Sequence, residues 1–489
     1  MNSAPAIAVI TAAGIAIPRW RLSRRAIAAA ISWVNPAAQS QSAGARAVGN
    51  WDEDTLTLAV EAAQGCVGGP PPTALHLAST TLPFADRSNA ALVAAALDLP
   101  EAIETLDLGG SLRAGTTALA NAARRGDAAL VVASDVRKAR PGSAQEFTIG
   151  HGAAALRIET AGTAAAPLAS VLGTAHLAAN FVDHYRSSGE SFDYGLEERW
   201  IRDASLAVLP ARAVEAALTA AGIPAQRVQH FVMPGSAAAS KRIASSAGLK
   251  AAAVADALAS DCGDTGAAHP LLMLVASLEH CQPGDVIVVV GVGQGVDALV
   301  LRAEAGLQNW TAAATTRTAS RALASRREEP SYVRYLSSSG QLAVDFGMRA
   351  ERDNRTAHST AWRKHRMLDA FVGGRCGSCS AVQFPKSRVC VNPACRATDT
   401  QQDHPLAQGS GRVKTFTEDW QAYSARPPYI YGNVAFADGG NLLMEFTDLD
   451  SGELAVGDTV RFAFRIKDVD RQRGFKRYFW KAVRTAGAS

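Results

Sequence analysis

The sequence has few aromatic residues, little net charge and no long apolar run. Phe, Trp and Tyr make up 6% of the 489 residues, and the net charge is only +4 at pH 7. So weak a charge argues against a protein that coats a polyanion, although it leaves room for a local basic site for a phosphorylated ligand. A run of about 18 apolar residues, the length that a membrane span requires, is also missing, so we expect no contact with a membrane.

Cysteine is scarce too, and the first apolar segment lacks the basic start of a secretory signal peptide. Of the seven cysteines, four cluster near the C-terminus, whereas Cys66, Cys262 and Cys281 are scattered. This distribution is typical of a metal site in a reducing compartment and not of a disulfide framework. We therefore predict a cytoplasmic protein whose three scattered cysteines are small buried hydrophobes.

The order of apolar and polar segments predicts several domains. Residues 1–308 alternate apolar strands, such as 73–80 and 128–134, with amphipathic helices. This pattern indicates an α/β domain with a mostly parallel sheet covered on both faces, and its recurrence favours an internal duplication. Residues 309–370 are polar, basic and helix-prone, and we predict a helical connecting segment there.

Residues 371–400 contain a cysteine cluster with the spacing C-x2-C-x10-C-x4-C. Its members are Cys376, Cys379, Cys390 and Cys395. Two such pairs suit tetrahedral zinc, and four thiolates leave no open coordination position, so the predicted zinc is structural. The alternative is a loop with four reduced, metal-free cysteines.

Residues 401–489 read as short β segments separated by Gly, Pro and Asp turns, which predicts a small antiparallel barrel. A zinc ribbon followed by such a barrel is one way to bind nucleic acid. The sequence offers only RQRGFKRYFWK (471–481) for that role, and a barrel strand with a solvated face explains it more simply. We expect no nucleic-acid partner.

Several strings carry a resemblance to known families. In residues 1–308 they are GIAIPRWRLSRRAI, GNWDEDTLTLAVEAA, GSLRAGTTAL, ASDVRKARPGSAQE, DTGAAHPLL and GVGQGVDALVL. With them this part of the chain resembles the thiolase superfamily, in particular hydroxymethylglutaryl-CoA synthase and ketoacyl-acyl-carrier-protein synthase III. The string CGSCSAVQFPKSRVCVNPAC is similar to the zinc-ribbon plus OB-fold family that accompanies thiolase-like enzymes as an acyl-CoA-binding subunit.

The first resemblance implies a duplicated five-layer αβαβα domain, a tunnel for coenzyme A, a homodimer formed through this domain, and chemistry on a carbon–carbon bond next to a thioester. The second implies a zinc ribbon over residues 371–400, then an all-β OB-fold over residues 401–489 that covers the CoA entrance or bridges subunits. Acyl-CoA or CoA is the expected ligand.

Each residue of the family's usual catalytic set is changed. Leu112 takes the place of the nucleophilic cysteine, and the glutamate position lies near Thr80. The histidine position lies near Gly235, and Asp264 replaces the asparagine. Claisen chemistry through an acyl-enzyme needs a thiolate at a helix N-terminus, which Leu112 cannot supply. Ser111 lies beside it but has no family histidine to activate its hydroxyl.

The glycine-rich scaffold persists in RAGTT and in GVGQG, which contains Gly293. In the family, the second string lets backbone N–H groups approach a thioester oxygen. Such a scaffold without a nucleophile suits aldol, retro-aldol or retro-Claisen chemistry, or CoA transfer to a β-keto acid fragment, which needs an acid–base group but no acyl-enzyme. Two alternatives stay open: a non-catalytic acyl-CoA-binding scaffold that partners an active thiolase, and ordinary hydroxymethylglutaryl-CoA synthase activity.

Ionisable residues on predicted loops and helix starts supply the remaining candidates. Residues 180–203 form a polar, aromatic insertion of the kind that builds a lid or pocket wall. The catalytic candidates are Asp264, His184, Tyr185, Tyr194 and His269. A helix cap is the structural alternative for the first of these, and a core or surface histidine for the last. The candidates for substrate binding are Ser111, Leu112, Arg113, Thr80, Gly235, Lys241 and Gly293.

Overall fold

The computed structural model describes residues 7–162, 166–195, 198–201, 208–313, 317–351, 355 and 357–485. The chain divides into two compact units. The first unit comprises Met1–Gly49, Asp54–Ala91 and Pro100–Tyr335. The second unit comprises Asn50–Glu53, Leu92–Leu99 and Leu336–Ser489. The beginning of the predicted connecting segment, up to Tyr335, thus packs with the α/β region.

A first series of strands and helices extends to residue 160. The strands here are β1 (Ala8–Ala16), β2 (Trp20–Ser23), β3 (Ala45–Val48), β4 (Ala74–Ala78), β5 (Glu104–Leu108), β6 (Ala129–Val136) and β7 (His151–Thr160). The helices here are α1 (Arg24–Ile31), α2 (Thr55–Ala63), α3 (Asn89–Ala96) and α4 (Ala114–Arg125).

A second series of elements extends to residue 338. The strands here are β8 (Ala169–Ala178), β9 (His184–Tyr185), β10 (Tyr194–Gly195), β11 (Val228–Val232), β12 (Val286–Val292), β13 (Gly295–Ala303) and β14 (Arg327–Glu329). The helices here are α5 (Glu198–Trp200), α6 (Leu209–Ala221), α7 (Ala237–Ser246), α8 (His269–Leu278), α9 (Leu307–Ala312), α10 (Ala319–Ala324) and α11 (Tyr332–Ser338).

The main sheet of the first unit is built from two similar halves. Its order is β11-β12-β13-β8-β1-β7-β6-β4-β5. From β1 outward, the strands pair antiparallel, antiparallel, parallel and parallel. From β8 outward, the strands pair antiparallel, antiparallel and parallel, and a parallel bridge between Phe231 and Val254 extends the series. This repeated order is the predicted duplication.

The sheet is mixed and not mostly parallel as expected. β1 pairs antiparallel with β7 and β8, and the neighbours β6–β7, β12–β13 and β13–β8 are antiparallel as well. Gly293 and Gln294 alone join β12 to β13. So short a connection closes a hairpin, whereas parallel neighbours need a crossover of about a dozen residues.

Helices α4 and α8 form the middle layer of the first unit. α4 contacts β4 and β6 from one half and β12 and β13 from the other, whereas α2 packs on β1, β6 and β7, and α6 packs on β8 and β13. α8 is buried on almost every side because its sequence HPLLMLVASL is apolar all round. The layers are therefore α, β, α, β and α, as predicted.

From residue 358 onward, the described part of the second unit contains two short helices, a three-stranded ribbon sheet and a closed barrel. The helices are α12 (His358–Arg363) and α13 (His365–Leu368), and the ribbon strands are β15 (Val372–Cys376), β16 (Val382–Gln383) and β17 (Gln401–Pro405). The barrel strands are β18 (Ser410–Asp419), β19 (Tyr429–Phe436), β20 (Asn441–Thr447), β21 (Thr459–Asp470) and β22 (Phe475–Arg484), closed in the order β18-β19-β20-β22-β21. A five-stranded closed barrel is the architecture expected of an OB-fold.

Aromatic packing and paired charges hold the second unit together. Phe371 lies 5.3 Å from Phe462 and 6.1 Å from Trp480, measured between ring centroids. The buried ammonium of Lys481 lies 3.0 Å from Asp52 Oδ2, so the buried charge has a partner. Within the part of the chain that the structure describes, no helix has the length and apolar character needed to cross a bilayer.

Candidate functional site

The turn before α4 lies against the glycine loop between β12 and β13. Ser111 Oγ donates a hydrogen bond to the Gly293 carbonyl oxygen at 2.7 Å. A Cβ added to Gly293 would lie 3.0 Å from the Leu112 backbone nitrogen, and one added to Gly291 would lie 2.1 Å from Thr116 Oγ1. These distances are shorter than van der Waals contact, so the close approach of the two segments requires glycine at both positions.

One backbone donor at this turn makes no hydrogen bond with a described residue. It is the Leu112 N–H, and this residue is half-buried. The Gly293 N–H, by contrast, donates to the Gly295 carbonyl at 3.0 Å. An oxyanion hole usually combines two donors. The turn supplies one of them, whereas the Gly293 N–H of the loop is already bonded.

Asp297 forms the centre of a hydrogen-bonded cluster beside the turn. The Asp297 carboxylate is fully buried and accepts from Arg113 Nη1 at 2.8 Å and from Thr117 Oγ1 at 2.5 Å. His176 Nδ1 lies 2.8 Å from Asp297 Oδ1. Arg113 also donates through Nε to the Gly293 carbonyl at 3.0 Å. The charge of Arg113, a candidate for substrate binding, is therefore matched by a buried carboxylate.

Thr80, predicted to lie near the family's glutamate position, binds a second buried carboxylate. Asp135 Oδ1 accepts from the Thr80 N–H at 2.7 Å, and Oδ2 accepts from Thr80 Oγ1 at 2.9 Å. The same carboxylate accepts from Ser79 Oγ at 2.8 Å and from the Ala267 N–H at 2.8 Å. With so many donors, Asp135 has little remaining capacity to accept a hydrogen bond from a substrate.

The insertion after β8 contacts the glycine loop through His184. His184 Nδ1 lies 2.9 Å from Asp183 Oδ1, and Gln294 Nε2 donates to the same oxygen at 2.9 Å. Burial would raise the pKa of Asp183, but the side-chain hydrogen bond and the charge of His184, together with backbone N–H donors, outweigh burial, and the pKa is lowered. The structure thus brings His184 to the loop that touches the turn of Leu112.

One ion pair and one hydrogen bond hold the same insertion against the ends of β6 and β4. Asp193 pairs with Arg137 after β6, and its other oxygen lies 3.1 Å from Arg186 Nη1 within the insertion. Arg186 also donates to the Thr80 carbonyl oxygen after β4. The side chains of Asp193 and Arg137 are almost fully buried, so their pair fixes the insertion more firmly than a surface pair would.

Tyr185 and Tyr194 face each other across the hairpin of β9 and β10. Their ring centroids are 5.6 Å apart, and the two residues are 50% and 60% exposed. Both phenols are therefore accessible to a ligand. Residues 196–197 and 202–203 of the predicted lid lie outside the described residues.

Asp264 and His269 hold local structure around the start of α8. Asp264 Oδ1 accepts from the Gly266 N–H at 2.8 Å. His269 is buried, with Nε2 3.1 Å from the Ala257 carbonyl and Nδ1 3.3 Å from the Thr265 nitrogen. Burial lowers the pKa of His269, which favours its neutral form. Both ring nitrogens have protein partners, whereas Asp264 is half-exposed.

The remaining binding candidates lie on or before α7. Gly235 is exposed with a φ of +119°, and Lys241 is an exposed residue of that helix. Within the described residues, no hydrogen bond or ion pair connects Lys241 to the turn of Leu112. The proposed contact of Lys241 with CoA stays a prediction.

The three scattered cysteines are buried, as the sequence predicted. Burial raises the pKa of Cys66, Cys262 and Cys281 to about 12 in each case. A thiol with so high a pKa is a poor nucleophile at neutral pH. The structure therefore offers no reactive thiol among these three to replace the one absent at Leu112.

Sequence reasoning missed Asp297, Asp135 and His176, which organise the site. The only available signal for Asp297 was its place two residues after GVGQG, and His176 precedes the polar insertion by a few residues. Neither position forms a motif by itself. Their importance comes from the pairing of His176 with Asp297 across β8 and β13.

The four clustered cysteines fit a zinc ion. Their sulfur atoms all lie within 4.8 Å of one another, with Cys376 Sγ 3.9 Å from Cys395 Sγ and Cys379 Sγ 3.6 Å from Cys390 Sγ. Tetrahedral zinc with bonds of about 2.3 Å to sulfur places its ligands about 3.8 Å apart. The geometry therefore matches a closed, structural site.

A tight turn of the same shape ends at the residue after each cysteine pair. Ser380 follows the first pair and Arg396 the second, and both adopt left-handed φ angles, 60° and 51°. Ser380 N–H donates to the Cys376 carbonyl at 2.9 Å, and Arg396 N–H donates to the Asn392 carbonyl at 3.0 Å.

The second unit also has a cavity of about 740 Å³. Its aromatic lining residues are Trp51, Phe346, Tyr423 and Tyr429. Its described carboxylates are Asp345, Glu351, Glu445, Asp468 and Asp470, against the basic residues Arg355, Lys467 and Arg471. A lining with more acidic than basic groups disfavours the phosphates of CoA.

Different known proteins resemble the two parts of the chain. Residues 365–401 match the model of the ChsH2 rubredoxin-like zinc ribbon domain, and residues 405–465 match the model of the ChsH2 C-terminal OB-fold domain. The DUF35 domain-containing scaffold protein of Methanocaldococcus jannaschii is 26% identical over 124 residues, 25% of this chain and 86% of that protein. The predicted ribbon and OB-fold are thereby confirmed.

The hydroxymethylglutaryl-CoA synthase of Methanocella arvoryzae is 31% identical over 161 residues, 30% of this chain and 46% of that protein. The chain thus spans about half the length of the synthases it matches. A solved structure of MvaS in complex with 3-hydroxy-3-methylglutaryl coenzyme A superposes with a TM-score of 0.57 at 20% identity, over 69% of this chain and 92% of that one. The chain therefore combines a thiolase-like fold with a ChsH2-type zinc ribbon and OB-fold domain.

Proposed function

We propose that the protein is an acyl-CoA-processing enzyme that makes or cleaves a carbon–carbon bond next to the thioester without an acyl-enzyme. The observation that carries this proposal is Leu112 at the mouth of α4, beside a glycine loop that still approaches the turn closely. An intact loop with a half-buried, free Leu112 N–H suits an enolate oxygen, whereas the buried thiols do not suit a covalent intermediate.

A retro-aldol reaction illustrates what such a site has to do. A base takes the proton of the β-hydroxyl group, the bond between Cα and Cβ breaks, and its electron pair forms the thioester enolate. An acid then protonates Cα, so the reaction is redox-neutral and needs no further reactant. His184 is a candidate for one of these proton transfers because it lies beside Gln294 of the glycine loop. Tyr185 and Tyr194 are further candidates for the same transfer.

The assignment of coenzyme A rests on the relatives. The synthase relatives are named for hydroxymethylglutaryl-CoA, and one similar structure holds that thioester. Hydroxymethylglutaryl-CoA synthase activity itself is less well supported, because Leu112 replaces the thiol that carries the acetyl group. An acetyl-enzyme trapped by mass spectrometry would be needed to support it.

Thiol alkylation tests the proposal directly. The zinc-loaded protein is treated with iodoacetamide, its zinc content is checked, and turnover of a panel of 3-hydroxyacyl-CoA and 3-oxoacyl-CoA thioesters is measured. We expect turnover to survive, since no free thiol takes part. If blocking Cys262 alone abolished turnover, that cysteine would be a displaced nucleophile and the proposal would be wrong.

The scaffold named among the relatives favours a second candidate function. The second unit resembles a protein named as a scaffold over 86% of that protein's length. In this version the thiolase-like part binds acyl-CoA and an active, cysteine-bearing thiolase performs the chemistry. Absence of turnover by the protein alone, with turnover restored only by such a partner, would favour the scaffold over the enzyme.

We also propose that the protein is a homodimer through the edge of the main sheet. β5 is the outer strand of that sheet, and its Leu106 side chain is 38% exposed. An unpaired edge strand of this kind is a natural place for a second copy to bind. Light scattering should give twice the monomer mass for the wild-type protein and the monomer mass for Leu106→Lys.

A further inference from the structure

His176 and Asp297 form a hydrogen-bonded pair beside the turn of Leu112. The two residues are opposite each other on β8 and β13, and His176 Nδ1 lies 2.8 Å from Asp297 Oδ1. A carboxylate accepts hydrogen bonds, so it holds the proton on Nδ1 and leaves the lone pair of the neutral ring on Nε2. The His176 side chain is 29% exposed, and no described residue bonds to Nε2.

The pair is attached rigidly to the turn that carries Leu112. Asp297 is fully buried and also accepts from Arg113 and Thr117. Arg113 is the residue directly after Leu112, and it donates to the carbonyl oxygen of Gly293 as well. The buried carboxylate therefore fixes His176 relative to the glycine loop and the mouth of α4.

We propose that His176 is a general acid–base residue of the acyl-CoA chemistry and that Asp297 is its positioning residue. This inference rests on the proposed function and names the group that moves the proton at Cα. Nε2 takes a proton from Cα of the acyl thioester, and the electron pair of the broken C–H bond moves to the thioester oxygen as the enolate forms. The protonated ring returns a proton to Cα in the reverse direction, so no further reactant is consumed.

Proton exchange at Cα isolates this step from the unknown acyl group. The full-length, zinc-loaded protein is incubated in D2O with acetyl-CoA, butyryl-CoA and 3-hydroxybutyryl-CoA, and deuterium at Cα is measured by mass spectrometry. His176→Asn keeps a side-chain N–H that can donate to Asp297 but removes Nε2. His176→Ala removes both groups. Thermal unfolding verifies that the variants are folded.

His230 provides the matched control because it is also paired with a carboxylate. His230 lies on β11 of the same unit, and its Nε2 lies 3.2 Å from Asp285 Oδ2. No described hydrogen bond joins His230 to the turn of Leu112. We expect His230→Asn to exchange at the wild-type rate. General acid–base groups contribute about 100-fold or more to a rate, so His176→Asn and His176→Ala should both slow exchange by at least that factor with little change in KM. Added imidazole should partly rescue His176→Ala.

The exchange rates distinguish failure of the acid–base role of His176 from failure of the proposed function. Exchange by His176→Asn at the wild-type rate would overturn the role of His176 and leave the proposed function intact. Slow exchange in His176→Ala with normal exchange in His176→Asn would show a structural role, which also contradicts the proposal. If the wild-type protein bound these thioesters but exchanged none of them, the proposed enzymatic function would fail, and the acid–base role of His176 with it.

Discussion

The hydroxyl group of Ser111 donates a 2.7 Å hydrogen bond to the carbonyl oxygen of Gly293. The bond joins two segments that lie 182 residues apart in the chain, one from each half of the duplicated domain. Ser111 thereby uses its proton to hold the turn against the loop. The site around Leu112 therefore depends on how the two halves pack. The first prediction concerns this contact between the turn and the loop.

Substitution of Gly293 should open the site. A Cβ there would lie 2.6 Å from Ser111 Oγ and 3.0 Å from the Leu112 nitrogen, so the turn or the loop must shift. We expect Gly293→Ala to lower the free energy of unfolding by about 1–3 kcal/mol and to lower acyl-CoA turnover. Chemical denaturation measures the first effect. Gly68→Ala is the control, since no atom lies within 4 Å of its added Cβ, and equal effects of both substitutions would contradict the prediction.

Removal of the Asp193 charge should loosen the insertion after β8. Asp193 is nearly fully buried between Arg137 and Arg186, and the isosteric change Asp193→Asn leaves two arginines without their partner. Breaking a buried pair of this kind costs about 3–5 kcal/mol. Limited proteolysis and hydrogen exchange should show faster cleavage and exchange between residues 181 and 195. Asp127→Asn removes an exposed pair with Arg125 and should leave both rates unchanged.

Loss of one zinc ligand should empty the ribbon. The wild-type protein should hold one zinc ion per chain, and Cys390→Ala should hold none, because three thiolates bind the ion less tightly than four. Metal analysis gives the stoichiometry, and proteolysis should show new cleavage between residues 372 and 405. Cys281→Ala is the control, since Cys281 lies in the first unit, and a fall in its zinc content would contradict the assignment.

Burial of His151 should make stability depend on pH. Burial lowers the pKa of His151 to about 3, and its ring bonds to the Gly49 N–H and the Arg137 carbonyl. Below pH 6.5 the unfolded state binds a proton that the folded state does not, so stability falls as the pH falls. The stability difference between wild type and His151→Gln should therefore shrink by about 1.4 kcal/mol per pH unit from pH 6.5 toward pH 3.

Denaturant titrations at pH 7, 6 and 5 measure this difference. His280→Gln, at an exposed position, is the matched control. A constant difference between wild type and His151→Gln across this range would show that His151 titrates alike in both states, contrary to the prediction.

Features encoded by neighbouring residues could be predicted from the sequence. The zinc ribbon is one case, because its two cysteine pairs lie within 20 residues and a tight turn ends each pair. The middle helix α8 is another, since a helix that is apolar all round has to be buried. The direction of the strands was harder to predict. An apolar run has the same appearance in parallel and antiparallel sheets, so the expected mostly parallel sheet was wrong.

The candidate site was only partly predictable. Glycine patterns identified the turn of Ser111 and Leu112 and the loop of Gly293. A close backbone approach requires glycine, and glycine is visible in the sequence. His184 was a candidate because it lies on a polar insertion, and the structure places it beside Gln294. The acid–base roles assigned to it and to the two tyrosines stay predictions.

By itself, the sequence determined that the helix mouth lacks a thiol, that four cysteines bind a metal ion, and that strands and helices alternate in two series. Each of these features depends on residues that are close together in the chain. The tertiary structure alone decided that His176 meets Asp297, 121 residues away, and that Thr80 meets Asp135, 55 residues away. Such pairs depend on strand order and register, which follow from the packing of the whole sheet and leave no local pattern.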